Sequence, residues 1–254
     1  MKLSLLTYLL GKDMELAKLL EVARKNRIPG IELRAELGHK HGVELDTTAE
    51  QRAEIRKRCE DAGVAICSIA TGCRFQSLDA AERQENVDRG KAFIDLARDV
   101  GAPRIRVFGD RFEGNDEEAV VHNVGQCLRQ LGEHAAGSGA DVCLEMHGDF
   151  YKWQHALKAV QIAGHPRIGI VHNCDPREAK DGPISDSIGT VRDYIRHVHV
   201  HDIESSSYPY REFFGIMKSA GYDGFMSLEC EQSSDPERVI GLYAALFREM
   251  VASV

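Results

Sequence analysis

The sequence predicts a single (β/α)8 barrel that spans residues 1–254. Short apolar segments alternate along the chain with amphipathic ones, and a glycine or proline commonly stands just before an apolar segment. Strict alternation of strands and helices implies parallel pairing through right-handed crossovers. Eight such units in about 250 residues match the size of this barrel. A doubly wound open sheet is the alternative, but neither G-x-G-x-x-G nor a P-loop follows the first apolar segment.

The eight predicted strands are short apolar runs between polar residues. Glycine favours the left-handed position after a helix, so Gly63, Gly101 and Gly139 mark helix ends that lead into strands. Residues 14–23 and 93–100 have the apolar spacing of helices. The strands are predicted at residues 3–7, 29–34, 64–70, 103–109, 141–147, 167–173, 196–201 and 225–231.

Composition excludes several classes of protein. The 32 basic and 40 acidic residues give a net charge of -8, which disfavours nucleic acid and anionic membranes as partners. The seven cysteines form no C-x-x-C pair and are typical of buried thiols in a reducing compartment. Residues 3–10 resemble a short secretory segment, but no small-residue cleavage site follows them. We therefore expect a cytoplasmic protein without a membrane span.

The most informative segment is His197-Val198-His199-Val200-His201-Asp202. Side chains alternate in a strand, so the three histidines share one face and the two valines share the other. The histidines could be hydrogen-bonded polar groups beneath a loop. Three of them on one face, followed by an aspartate, favour a chemical site.

Polar residues also stand near the ends of the four strands that complete the barrel. The carboxyl ends of parallel barrel strands meet at one mouth, where such barrels carry their active sites. Two carboxylates, one imidazole and one further oxygen ligand favour Mn²⁺ or Mg²⁺, with Co²⁺ or Zn²⁺ also open. The candidates are Glu145 and His147 on strand 5, Asn173 or Asp175 after strand 6, His199 and His201 on strand 7, and Glu229 on strand 8.

Charged residues on earlier strands have two interpretations. Glu32 and Arg34 share a face of strand 2, where they form a surface pair unless Glu32 belongs to the site. Arg106 on strand 4 is either a substrate-binding cation or an ion-pair partner. His39 and His41 are typical of solvated loop histidines.

The chain resembles the sugar phosphate isomerase/epimerase group of the xylose isomerase-like TIM-barrel superfamily, which also contains the apurinic endonuclease type 2 proteins. The resemblance covers essentially the whole chain. It rests on Leu144-Glu145-Met146-His147, Gly169-Ile170-Val171-His172-Asn173, the histidine strand, Gly221-Tyr222-Asp223-Gly224 and Leu228-Glu229.

The resemblance implies a divalent metal held by Glu, Asp, His and Glu from strands 5 to 8. Transferred to this chain, the ligands are Glu145, Asn173, His199 and Glu229. Asn173 departs from the family's aspartate and would bind through its amide oxygen, with Asp175 as the alternative. His201 stands where relatives commonly carry lysine.

The resemblance further implies an isomerase or epimerase that acts on a sugar or related polyol through an enediolate. Glu145 and Glu229 would remove and return the proton. His147, Arg106, His201 and Glu32 would bind the substrate. A homo-oligomer is left open.

Three alternatives stay open. A lyase or dehydratase for keto-sugars or keto-inositols would use the same site. A nuclease, which needs more metal ligands and a basic face, is disfavoured by the acidic composition. Asn173 keeps a non-catalytic sugar-binding barrel open.

Overall fold

Eight parallel strands close into a barrel in the computed structural model, which describes all 254 residues. Each strand pairs with the next along the chain, and β8 closes the barrel against β1. This arrangement confirms the predicted (β/α)8 barrel. The strands are β1 Lys2–Leu6, β2 Gly30–Arg34, β3 Ala65–Arg74, β4 Arg104–Phe108, β5 Asp141–Glu145, β6 Ile168–Asn173, β7 Ile195–Val200 and β8 Phe225–Leu228.

Helices cover the outside of the barrel between the strands. They begin with local caps: Thr48 and Gln51 form a capping box at α2, and the Asp79 carboxylate accepts from the backbone of α3. Gly63 and Gly101 end α2 and α3 in the left-handed conformation, as predicted. The helices are α1 Leu16–Lys25, α2 Ala49–Ala62, α3 Ala80–Val100, α4 Glu117–Ala135, α5 Trp153–Ala163, α6 Pro176–Asp181, α7 Ile184–Val191, α8 Tyr210–Ser219 and α9 Pro236–Ala252, with 3-10 turns at Gly148–Tyr151 and Arg192–Tyr194.

Five strands end earlier than predicted, β5 and β8 by two and three residues, whereas β3 continues to Arg74 rather than residue 70. β5 ends at Glu145 rather than residue 147, because the His147 N–H donates to the Glu145 carbonyl (2.8 Å) and a 3-10 turn follows. β8 ends at Leu228 rather than residue 231, although the Glu229 N–H still donates to the Val200 carbonyl at 2.8 Å. His147 and Glu229 therefore stand at the loop side of the barrel mouth.

The strands divide the buried residues into an apolar outer layer and a polar lumen. Residues such as Leu3, Leu5 and Ile31 belong to the buried apolar cluster between the sheet and the helices. The alternate positions carry polar groups, and the Oγ atoms of Ser4 and Ser227 lie 2.8 Å apart in the lumen. Fully buried polar residues concentrated in the lumen must find hydrogen-bond partners among themselves.

The seven cysteines are all buried and free, as their sequence context predicts. Burial raises the pKa of Cys67 and Cys143 to about 12, so these thiols stay protonated. No helix has both the length and the apolar character that crossing a membrane requires.

Candidate active site

Three predicted ligands from β5, β7 and the end of β8 meet at the barrel mouth. His199 Nδ1 lies 3.2 Å from Glu145 Oε1 and 3.5 Å from Glu229 Oε2. These three ligand atoms lie within 4.8 Å of one another. Ligands bound at about 2.1 Å to one metal ion would be separated by roughly 3.0 to 3.4 Å. The spacing of the three atoms therefore suits a shared divalent cation.

The other nitrogen of His199 faces a carboxylate deeper in the lumen. His199 Nε2 lies 3.0 Å from Glu32 Oε2, and both side chains are fully buried. A carboxylate accepts hydrogen bonds, so the ring donates its Nε2 proton to Glu32 and leaves Nδ1 to face Glu145 and Glu229. Glu32 thus selects the tautomer that a metal at the mouth requires.

His197 lies one pleat below His199 and shares the same carboxylate. Its Nε2 lies 2.8 Å from Glu32 Oε2 and 2.9 Å from Ser227 Oγ. Burial, more than the attraction of Glu32, determines the state of this ring and lowers the pKa of His197. A neutral, enclosed His197 supports Glu32 from below.

The mouth stabilises positive charge at His199. Burial disfavours an imidazolium, but the carboxylates of Glu32 and Glu145 outweigh it and raise the pKa of His199 well above its usual value. Burial likewise disfavours the Glu145 carboxylate, but Arg106 and then His199 lower the pKa of Glu145 to about 2. The site is thus built for a cation between ionised carboxylates, which can be a proton on the ring or a metal ion.

One carboxylate oxygen of Glu145 has no hydrogen-bond partner. Glu145 Oε2 is buried and accepts no hydrogen bond, although Arg106 Nε lies 3.0 Å away. This arginine contact is an ion pair without hydrogen-bond alignment, so the oxygen keeps a lone pair for another partner. The donor set of two carboxylates and one imidazole nitrogen fits Mn²⁺, Mg²⁺, Co²⁺ or Zn²⁺.

Asn173 is the last residue of β6 and is almost fully buried. Its Oδ1 makes a short contact with His201 Nε2, and His201 Nδ1 lies 3.2 Å from the carbonyl of Glu229. Asp175, the other strand-6 candidate, caps α6 and pairs with Arg177 through both carboxylate oxygens. Asn173 is therefore the better placed of the two.

The structure separates the predicted substrate-binding residues by depth. His147 stands at the mouth with its side chain 45% exposed, and the positive charge of Arg106 lies behind it beside Glu145. His201 is partly buried over Asn173. Glu32 is fully enclosed by the two lumen histidines, so its contact to the site runs through His199.

Two groups at the mouth were not singled out from the sequence. Asp110, two residues past β4, pairs with Arg74 at 3.1 Å and lies 3.6 Å from His147 Nδ1. This carboxylate raises the pKa of His147. The signal that could have found Asp110 is its place just after a strand's carboxyl end, the same rule that selected Asn173. Arg34 is the second group, and it had been considered only as part of a pair with Glu32.

Comparison with known proteins decides the family. The model of the xylose isomerase-like TIM barrel matches residues 20–250. The chain belongs to this family.

One curated relative and two solved structures are similar to the chain. A 3-dehydroshikimate dehydratase from Pseudomonas putida is 28% identical over 125 residues, which are 46% of this chain and 19% of that protein. The chain thus spans about a fifth of the length of this relative. The 3-keto-D-glucoside 4-epimerase of E. coli has a TM-score of 0.80 at 16% identity, over 98% of this chain and 99% of the other. A structure of the IOLI protein with bound zinc has a TM-score of 0.85 at 14% identity, over 100% and 99%. These structural likenesses concern the fold.

Proposed function

We propose that this barrel is a divalent-metal-dependent isomerase or epimerase of a keto-sugar or related polyol. The observation that carries the proposal is the meeting of Glu145, His199 and Glu229 at the mouth, with His199 Nδ1 within 3.5 Å of both carboxylates. Epimerases among the structures of similar fold support the same reading.

Glu145 and Glu229 have the positions of an acid and base pair. They extend from β5 and from the end of β8, so a substrate lying across the mouth meets a carboxylate from two sides. One carboxylate takes the proton from the carbon beside the carbonyl, and the other group, protonated from solvent beforehand, returns its proton from the opposite side. A bound divalent cation would supply Lewis acidity at the substrate carbonyl.

The remaining residues position these groups. Glu32 holds His199 in its orientation, and Arg106 keeps Glu145 ionised. His147 is half-exposed at the mouth, within reach of substrate oxygens. The proposed substrate is a small carbohydrate, and the proposed ion is Mn²⁺ or Mg²⁺ first and Co²⁺ or Zn²⁺ second.

A dehydratase or lyase is the second candidate, and the curated relative favours it. It begins with the same proton removal and ends with loss of a substituent from the next carbon. The isomerase and the lyase give different products, so product analysis distinguishes them.

The test follows the proton beside the carbonyl. A panel of ketoses is incubated in D₂O with Mn²⁺-loaded protein, and NMR records exchange, epimer formation and loss of substituent. We expect exchange with epimer formation, and a loss of about 10²- to 10⁴-fold in Glu145→Gln and Glu229→Gln. Exposed Glu231 provides the matched control, because Glu231→Gln removes a nearby carboxylate without touching His199.

Metal analysis accompanies the kinetics. Glu145→Gln and His199→Ala should lower bound metal, measured by mass spectrometry after dialysis. If the substrate loses a substituent and no epimer forms, the protein is a lyase rather than an isomerase. If wild type and both variants hold equally little metal, the metal-dependent mechanism is wrong.

A further inference from the structure

Arg34 is a buried cation at the active-site mouth without an acidic partner. It ends β2, keeps only 8% of its surface exposed, and has no carboxylate oxygen within 4.0 Å. Its only side-chain hydrogen bonds run from Nη1 to the carbonyls of Ala35 and Ala70. Buried arginines ordinarily pair with an acid, so this guanidinium lacks its usual partner.

The acidic residues near Arg34 already have other partners, and both carboxylate oxygens of Glu44 accept from the Glu36 backbone N–H. Glu36 pairs with Arg89 at 2.9 Å and also accepts from the Gly72 backbone. Glu145 lies against Arg106 at 3.0 Å. None of these carboxylates is free to neutralise Arg34.

The strand register places Arg34 level with Arg106. Arg34 is the register partner of Ala70 on β3, and Ala70 is the partner of Arg106 on β4. Partners in parallel strands point to the same side, so both arginines face the lumen with only a methyl group between them. The wall formed by β2 to β4 therefore presents two guanidiniums beside the carboxylates of β5 to β8.

A neighbouring histidine also lacks a partner, and its burial corrects the expectation of a solvated loop residue. His39 is 9% exposed, and its Nδ1 is buried without a hydrogen-bond partner. Burial, and then the positive charges of Arg34 and Lys12, lower the pKa of His39. Burial and the nearby Arg106 lower the pKa of Arg34 to about 10, so it remains charged at neutral pH. Basic groups thus line one side of the mouth in a chain whose net charge is -8.

We propose that the substrate carries an anionic group, a carboxylate or a phosphate, and that Arg34 binds it. This proposal rests on the proposed function, since it adds a second anchor to the same substrate. The reacting carbonyl lies at the carboxylates of β5 and β8, and the anionic group lies against β2. Guanidinium binds both oxyanions through directed N–H donors, and its charge-assisted bonds are about twice as strong as neutral ones.

The test compares sugars that differ at one end. The carboxylate probes are D-fructuronate and D-tagaturonate. Their neutral counterparts, D-fructose and D-tagatose, carry CH₂OH in place of the carboxylate. D-fructose 6-phosphate is the phosphate probe. Calorimetry measures the Kd of each probe in the metal-free and the Mn²⁺-loaded protein. We expect the carboxylate or the phosphate arm to bind about 10- to 100-fold more tightly than the neutral ketoses. The probe with the lower Kd shows whether the site prefers a carboxylate or a phosphate.

Variants assign the effect to Arg34. Arg34→Gln should lower the affinity for the anionic probe to that for the neutral ketoses. Arg34→Lys should recover part of this affinity, because lysine keeps the charge but lacks the planar guanidinium. Arg74→Gln is the matched control, because Arg74 lies at the same mouth but is 53% exposed and already paired with Asp110. The comparison of probes in wild-type protein needs no variant, so it stands if Arg34→Gln does not fold.

The outcomes separate this proposal from the proposed function. Equal affinity for anionic and neutral probes, or an anionic preference unchanged in Arg34→Gln, overturns the role of Arg34 even if a neutral ketose exchanges its proton. Arg34-dependent binding without proton exchange in any probe supports the anionic subsite and counts against the isomerase.

Discussion

Asn173, the predicted strand-6 ligand, contacts His201 through its side-chain amide. His201 Nδ1 faces the Glu229 carbonyl, which only accepts, so this nitrogen donates. Nε2 contacts Asn173 Oδ1, and in the tautomer with a proton on Nδ1 alone the NH₂ group of Asn173 would take the place of that oxygen. Amide oxygen and nitrogen exchange places by rotation of the side chain. That rotation would turn Oδ1 of Asn173 away from His201, which is the orientation that the predicted ligand role requires.

We expect Asn173→Asp to bind Mn²⁺ about 10-fold more tightly or better, because a full negative charge near the cation adds Coulomb energy. Asn173→Ala should weaken binding. Calorimetry of metal-free protein titrated with Mn²⁺ measures both. Identical affinities in the Asn, Asp and Ala proteins would show that position 173 does not contact the metal.

At the scale of elements, the sequence pattern of β7 predicts which side chains face the lumen, because side chains alternate along a strand. Val198 and Val200 are buried on the outer side, and His197 and His199 lie in the lumen. The pattern also gives the order of depth along this strand, but not the depth of residues on different strands relative to one another. Glu32 and Arg34 share a face of β2, but the pairing of β2 with its neighbours places one beneath His199 and the other beside Arg106. The stagger between strands is set when the barrel closes, so a local sequence pattern does not predict it.

The ends of β5 and β8 were misplaced for a related reason. Apolar and alternating residues continue past both strands, so the pattern predicts longer strands. The backbone turns at His147 because Gly148, at φ 63, begins a 3-10 turn packed against the Asp110 backbone. A tertiary contact between two loops decides this boundary.

A buried polar cluster joins α6, α7, β6 and the segment after β7. Glu178 Oε2 accepts from the Tyr208 hydroxyl at 2.9 Å and lies 3.4 Å from His172 Nε2, and Oε1 accepts from Ser187. Burial would raise the pKa of Glu178, but His172 and these hydrogen bonds outweigh it and lower the pKa below the usual value. The ionised carboxylate therefore stabilises the folded state.

We expect Glu178→Gln to lower the free energy of unfolding at pH 7 by about 1.5 to 3 kcal/mol, the range for hydrogen bonds to charged groups. A lowered folded pKa contributes stability above the unfolded value, and this stability is lost as pH falls through the folded pKa. The gap between wild type and variant should therefore shrink on acidification. Urea unfolding at several pH values measures it, with exposed Glu60→Gln as control. A gap that stays constant below pH 4 would contradict the ionised role.

For the whole molecule, the candidate ligands connect half of the barrel. They stand on β5, β6, β7 and at the end of β8. Along the chain these ligands are separated by 26 residues (173 to 199) to 84 residues (145 to 229). A metal site assembled from such distant segments exists only in the folded barrel. Binding free energy therefore adds to the stability of the complete fold.

We expect Mn²⁺ at 100 times its Kd to raise the free energy of unfolding by about 2.7 kcal/mol. For a chain of this size each kcal/mol corresponds to roughly 2 to 4 °C, so Tm should rise by about 5 to 10 °C. Thermal unfolding with EDTA or Mn²⁺ measures the shift. Glu145→Gln should lose most of it, because the variant gives up one ionised ligand, whereas Glu231→Gln should keep it. If Mn²⁺ stabilises Glu145→Gln as much as wild type, the ion binds elsewhere on the molecule, and the mouth of the barrel is not its site.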